Sequence, residues 1–217
     1  MYKVRNIIFD FDGTLADTAP LIIATMQAAI RELDLPLRTN EECRALIGLR
    51  LEDIPAALWP GLPDLSARYA AAYRRIFDEI KHQLHVTLFP GVSETLRCLK
   101  ADGINMAIAS SRSHGSLVEY VGGFDMSGYF GMLIGGNDVD NGKPAPDPVI
   151  KILNTLGWNA ADTLVVGDAA VDILMGRSAG TVTCGVTYGN GTPQALAEAG
   201  ADFIIDRFVD IIGCLGK

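Results

Sequence analysis

The feature that constrains this chain most is a rhythm of short, β-branched apolar runs separated by helical patterns and broken once by a long stretch without a strand. The runs at residues 4–9, 104–109, 132–134, 163–166, 181–186 and 203–205 are mostly apolar without alternation, which suits parallel strands covered by helices on both faces. Strands of that kind alternating with helices predict an α/β fold with a doubly wound parallel sheet. Residues 16–86 interrupt the rhythm, because they read as helical throughout and are too many for one crossover. Leu21, Ile22, Met26, Ala29, Ile30 and Leu33 recur near helical spacing in a first helix over 17–33. Thr39 with Glu42 has the form of a capping box, and residues 65–80 give a third long helical segment. The expected organisation is a catalytic α/β core, residues 1–15 and 87–217, carrying an inserted α-helical cap, residues 16–86. Pro90-Gly91 restarts the core ahead of a helix over 92–99.

With 217 residues, 49% of them hydrophobic, the chain can bury one good core and a smaller appendage. A net charge of -8 leaves no basic face to follow a nucleic-acid backbone, so nucleic acid is not an expected partner. An anionic metabolite is compatible with that charge, since a metal ion and one lysine create a local positive site. Cys43, Cys98, Cys184 and Cys214 are widely spaced and form no C-x-x-C pair, which points to neither zinc nor a disulfide scaffold and fits a reducing, cytoplasmic setting. The apolar run ending at Phe9 is too short for a signal peptide or membrane span, so no membrane partner is expected.

Asp10-Phe11-Asp12-Gly13-Thr14 follows the first run directly, at the carboxyl end of a strand, where open α/β sheets bind ligands. Alternation along an extended chain sends Asp10 and Asp12 to the same side, and Mg²⁺ is a hard cation able to relieve their repulsion. The competing reading of these five residues is a polar turn with Asp12 as a cap. Ser110 closes the second run, Lys143 sits in Gly142-Lys143-Pro144-Ala145-Pro146-Asp147, and Gly167-Asp168 closes the fourth run with Asp172 four residues on. Polar groups thus recur at strand ends or in the loops beyond.

This set resembles the haloacid dehalogenase superfamily over nearly the whole chain, and the helical insertion resembles its phosphoglycolate phosphatase-like branch. Asp10 and Asp12 match the first motif, Ser110 the second, Lys143 the third, and Asp168 with Asp172 the fourth. The resemblance implies a Rossmann-like core and hydrolysis of a small phosphorylated metabolite. It makes Asp10 the nucleophile and Asp12 the acid and then the base. It also places Mg²⁺ on the Asp10 side chain, the Asp12 carbonyl and Asp168, with Asp172 in support. Ser110 would donate to the phosphoryl oxygens and Lys143 would offset charge. Two positions depart from the family pattern: Ser111-Arg112 stands where Asn and Lys are common, and Ala169 where Ser is frequent.

Weaker signals have plainer readings. Lys143 lacks the Gly and Ser/Thr of a P-loop, and no G-x-G-x-x-G follows a strand, so neither nucleotide motif is present. His82 and His85 read as a solvated helix end, Arg74-Arg75 as a solvated face, and Asn190-Gly191-Thr192 as a polar loop. His114 reads as a loop or first-turn residue, with a place beside the substrate as the alternative. Arg50 is a cap cation suited to gripping a substrate carboxylate, with a surface ion pair as the alternative, and Ser111 is a second expected substrate contact. Two other functions compete with a phosphatase: a phosphosugar mutase of the same superfamily, and a non-catalytic phosphate-binding regulatory domain.

Overall fold

In the computed structural model, which describes residues 3–62 and 64–216, the chain begins with β1 (Asn6–Phe9) and β2 (Ala16–Asp17). Four helices follow, α1 (Ala19–Glu32), α2 (Asn40–Arg44), α3 (Ile54–Leu58) and α4 (Ser66–Ile80), before β3 (Thr87–Leu88). Next come α5 (Val92–Ala101), β4 (Asn105–Ala109), α6 (His114–Gly123), β5 (Met132–Ile134) and α7 (Asp147–Leu156). The chain closes with β6 (Thr163–Gly167), α8 (Ala170–Ser178), β7 (Val182–Val186), α9 (Pro193–Glu198), β8 (Phe203–Ile205) and a 3-10 segment, Phe208–Leu215.

Six strands pair in parallel in the order β5-β4-β1-β6-β7-β8, which is the expected doubly wound sheet. From β1 the chain builds outward to β4 and β5, then returns to add β6, β7 and β8 on the other side. Such a reversal opens a crevice at the carboxyl ends of the strands beside it. Burial on both faces explains why the strands read as unbroken apolar runs. Ile7 and Phe9 pack with Leu96, Leu99 and Phe208, whereas Ile8 packs on the opposite face with Val149, Ile152 and Met175. Each such side chain contributes roughly 1.5–3 kcal/mol when fully buried.

Helices α1 to α4 enclose an apolar cluster of their own, with Met26, Ile30, Cys43, Trp59, Tyr69 and Ile76 at its centre. The capping box at α2 is formed: Glu42 N–H donates to Thr39 Oγ1 at 3.1 Å, and Thr39 N–H to Glu42 Oε2 at 2.7 Å. The first helix departs from expectation. It begins at Ala19 rather than at residue 17, with Pro20 in its first turn, and Asp17 does not cap it. Asp17 lies instead in β2, which pairs antiparallel with β3 through Ala16–Leu88 and Asp17–Thr87. This ribbon joins the helical insertion to the sheet. A two-residue strand has no period to betray it in a sequence. No helix among the described residues is long and apolar enough to cross a membrane.

Candidate active site

The parallel register brings Phe9 level with Ile108 on β4 and Val166 on β6. The residues that leave these strands, Asp10, Ser110 and Asp168, therefore emerge into one crevice, and Asp10 N–H is fixed to the Val166 carbonyl at 2.8 Å. Lys143 enters from the loop between β5 and α7, and Asp172 from the first turn of α8. Asp10, Asp168, Asp172 and Lys143 are only 3%, 2%, 1% and 4% exposed. One carboxylate oxygen from each of the three acids lies within 4.8 Å of the other two. Lys143 Nζ donates to Asp10 Oδ1 and, at 2.5 Å, to Asp172 Oδ1. The other Asp172 oxygen accepts from Ala169 N–H at 3.0 Å, tying the acid to the start of α8.

Asp168 is held from the far side. Thr14 Oγ1 donates to its Oδ1 at 3.2 Å, and Asn190 donates to its Oδ2 from both backbone N, at 2.6 Å, and Nδ2, at 3.1 Å. Gly13 turns the chain here at φ +90°, and a Cβ on it would stand 2.2 Å from Asp168 Oδ2. Only glycine satisfies both the left-handed turn and the close approach.

Asp12 faces a different partner. Arg112 grips it through Nε to Oδ2 at 3.2 Å and Nη2 to Oδ1 at 2.5 Å, while Nη1 donates to Ser116 Oγ at 2.9 Å. The guanidinium lies 4.7, 5.4 and 5.9 Å from the ring centroids of Tyr120, Phe77 and Phe11. Burial works against this cation, but the Asp12 carboxylate outweighs it and holds the Arg112 pKa above its ordinary value. A planar, doubly bonded fork of this kind fixes its carboxylate partner in orientation as well as in charge.

The charges of the site do not balance. Asp10, Asp12, Asp168 and Asp172 face Lys143 and Arg112, so carboxylates exceed cations by two. Burial first, opposed by Lys143 and reinforced by Asp172, raises the Asp10 pKa well above the usual carboxylate range. Burial, then the Asp172 carboxylate, pushes Asp168 up to about 7. For Lys143 the cost of burial is overcome by Asp10 and Asp172, which hold the ammonium charged. Asp10 Oδ2 is buried without a hydrogen-bond partner. An all-oxygen donor set, an excess of two negative charges and an orphaned carboxylate oxygen fit a hard divalent cation such as Mg²⁺.

A cleft of about 410 Å³ lies above these groups, with Asp10, Asp12 and Ser110 on its floor and Ile22, Met26, Ile54 and Phe77 from the insertion in its walls. Ser110 Oγ accepts from Arg112 N–H at 3.2 Å and remains beside Asp10 in that floor. Arg50 is placed otherwise than a carboxylate-gripping residue would be. Its guanidinium donates to the core carbonyls of Gly136 at 2.8 Å, Val139 at 3.1 Å and Asp140 at 2.5 Å, so it fastens the insertion to the core. Gly142 leaves room for its stem, since a Cβ there would lie 2.6 Å from Arg50 Cδ. Ser111 Oγ is likewise engaged, donating to the Gly48 carbonyl at 2.6 Å.

His82 and His85 are exposed at the end of α4. His114 pairs with Asp138 at 2.6 Å, at the start of α6. Thr14, Arg112 and Asn190 join the site without a role that the sequence had assigned to them. Asn190 was readable only as a polar loop, and the available signal was its place beyond the end of β7, on the same edge of the sheet as the other site residues.

With this geometry established, the likeness to known proteins is specific. Residues 7–186 match the family model described as haloacid dehalogenase-like hydrolase. The chain belongs to this family. A "probable phosphatase IndB" from Dickeya dadantii is 35% identical over 211 residues, covering 95% of this chain and 91% of that protein. A phosphoglycolate phosphatase from Salmonella typhimurium is 30% identical over 237 residues, covering 100% of this chain and 94% of the relative. Among solved structures, a HAD-superfamily hydrolase of subfamily IA from Geobacter sulfurreducens is 25% identical, with a TM-score of 0.69 over 99% of this chain and 98% of that one. A haloacid dehalogenase-like family protein from Streptococcus pneumoniae shares the fold at a TM-score of 0.85 and 21% identity, covering 98% of each chain. The resemblance to the superfamily and to its phosphoglycolate phosphatase-like branch is thus borne out.

Proposed function

We propose that this family member is a Mg²⁺-dependent phosphatase that hydrolyses a small phosphomonoester through an aspartyl phosphate on Asp10. The observation that carries the reading is the buried cluster of Asp10, Asp168 and Asp172 with Lys143 among them, two charges too negative and with one Asp10 oxygen unpartnered. Asp10 attacks phosphorus, and the bond from phosphorus to the leaving oxygen breaks as Asp12, which enters this step carrying a proton taken from solvent, hands it to that oxygen. Asp12, now a carboxylate, takes a proton from the water that attacks the aspartyl phosphate, and inorganic phosphate leaves with Asp10 restored. Lys143 offsets charge on Asp10 and the transferring group, and the Ser110 hydroxyl donates to a phosphoryl oxygen. Asp10, Asp168, Asp172 and the Asp12 carbonyl would hold Mg²⁺, which would supply charge neutralisation for the transferring phosphoryl group.

In the same reading, residues 16–86 act as a cap that closes over the cleft and excludes bulk water. Four free cysteines support a reducing, cytoplasmic setting. The test is phosphate release from a panel of small phosphomonoesters with Mg²⁺ or chelator, beside an Asp10→Asn control. Release that requires both metal and Asp10 is the expected result. Isomerised sugar phosphate without free phosphate would instead identify a mutase.

A further inference from the structure

Among the described residues four cations line the cleft, and each is already engaged. Arg112 is committed to Asp12 and Arg50 to three backbone carbonyls. Arg74 pairs with Glu52, and Lys81 pairs with both Asp78, at 3.3 Å, and Glu119, at 3.0 Å. Those three acids also line the cleft, so negative charge meets anything that enters beside these cations. Much of the remaining wall is apolar, with Ile22, Met26, Ile47, Ile54 and Phe77, and Ser113, Ser116 and Asn137 add neutral polar groups. At about 410 Å³ the space exceeds what a two-carbon acid needs, and it falls within the range of roughly 300–1,000 Å³ that buries a ring-sized organic ligand.

From this arrangement we infer that the leaving-group half of the cleft is built for an uncharged organic alcohol of about ring size, and that it disfavours an alcohol bearing a carboxylate. The inference rests on the phosphatase reading and narrows its substrate class. A substrate carboxylate entering here meets no unmatched cation. To be satisfied it must compete with the acids that already hold Arg74 and Lys81, or detach Arg112 or Arg50 and so strand the buried Asp12 carboxylate or a set of carbonyls. It must also lie against aliphatic and aromatic side chains that solvate it poorly. An uncharged ring meets neither obstacle and removes apolar wall from water. The selectivity therefore runs against phosphoglycolate itself, although proteins named for that substrate are among the relatives.

Benzyl phosphate and 4-carboxybenzyl phosphate isolate the effect, since they differ by one carboxylate remote from the reacting ester. Expected is a kcat/KM for benzyl phosphate about tenfold or more above that for the carboxylated ester, with phosphoglycolate on the slow side. Glu52→Gln, which frees Arg74, is expected to shift the ratio toward the carboxylated ester. A wild-type ratio of one or less, or phosphoglycolate as the fastest of the three, overturns the inference. Asp10-dependent, Mg²⁺-dependent turnover of p-nitrophenyl phosphate separates the two levels. If it is present while the ratio is one or less, only the inference fails; if no ester is turned over, the phosphatase reading fails with it.

Discussion

The two sides of the cleft are built differently. On the core side, Asp10, Asp168, Asp172 and Lys143 are almost wholly buried at strand ends and a helix start, each held by neighbours fixed through the sheet register. Where the insertion meets the core the polar contacts are more exposed: Lys81, with a side chain 17% exposed, reaches Glu119, 53% exposed, and Arg44 reaches Asn190 at 3.1 Å. Buried, hydrogen-bonded charges keep a geometry that solvent cannot relax, whereas exposed pairs are screened and contribute about 0–1 kcal/mol each. In the proposed reading, the chemistry lies on the more buried side and the choice of substrate on the more exposed one. Arg112 spans the two, bonding Asp12 on the core while lying against Phe77 of the insertion.

The largest effect expected on the core side is from Asp10→Asn, which removes the proposed nucleophile. Phosphate release with saturating Mg²⁺ should fall by about 10⁴-fold or more, and residual activity within tenfold of wild type would place the nucleophile elsewhere. Arg112→Met tests whether the bridge belongs to that side. Stranding Asp12 without its partner should cost about 3–5 kcal/mol of stability in a denaturant titration. It should also lower kcat by about 10²-fold through the loss of a positioned acid. Arg112→Lys should recover part of both, because a point charge replaces a fork.

Metal should act on the core side alone. Mg²⁺ at about a hundred times its dissociation constant should stabilise the fold by about 2.7 kcal/mol, read as a rise in Tm. Asp168→Asn should lose most of that rise, and an undiminished shift would move the metal away from this cluster. The smallest effect belongs to the insertion. Arg50→Ala removes its hydrogen bonds to Gly136, Val139 and Asp140, and should raise KM several-fold with a smaller change in kcat, at a stability cost of about 1 kcal/mol. A kcat loss comparable to that of Arg112→Met would erase the contrast between the two sides.

Much of this division is legible in the sequence. Buried parallel strands announce themselves as short apolar runs, and polar residues placed just after them, Asp10, Ser110 and Asp168, mark the crevice before any coordinates exist. The capping box at Thr39 and Glu42 could be read because its partners are three residues apart. Where partners are distant the sequence is silent. Arg112 lies 100 residues from Asp12, Asn190 22 residues from Asp168, and Arg50 86 to 90 residues from the carbonyls it binds. A cation seen alone suggests a substrate ligand; seen with its partners, Arg50 is a fastening.

The sequence by itself determined the periodicities, and through them the doubly wound sheet, the helical insertion and the strand ends that bear Asp10, Ser110 and Asp168. These follow from local rules, in which burial on one face or two fixes which residues can neighbour one another along the chain. Only the tertiary structure decided which charges meet. The pairing of Arg112 with Asp12, the orphaned Asp10 oxygen and the fully engaged cations of the cleft arise from side chains brought together across the fold. Coulomb forces and hydrogen bonds act over a few ångströms of space, whatever the distance along the chain.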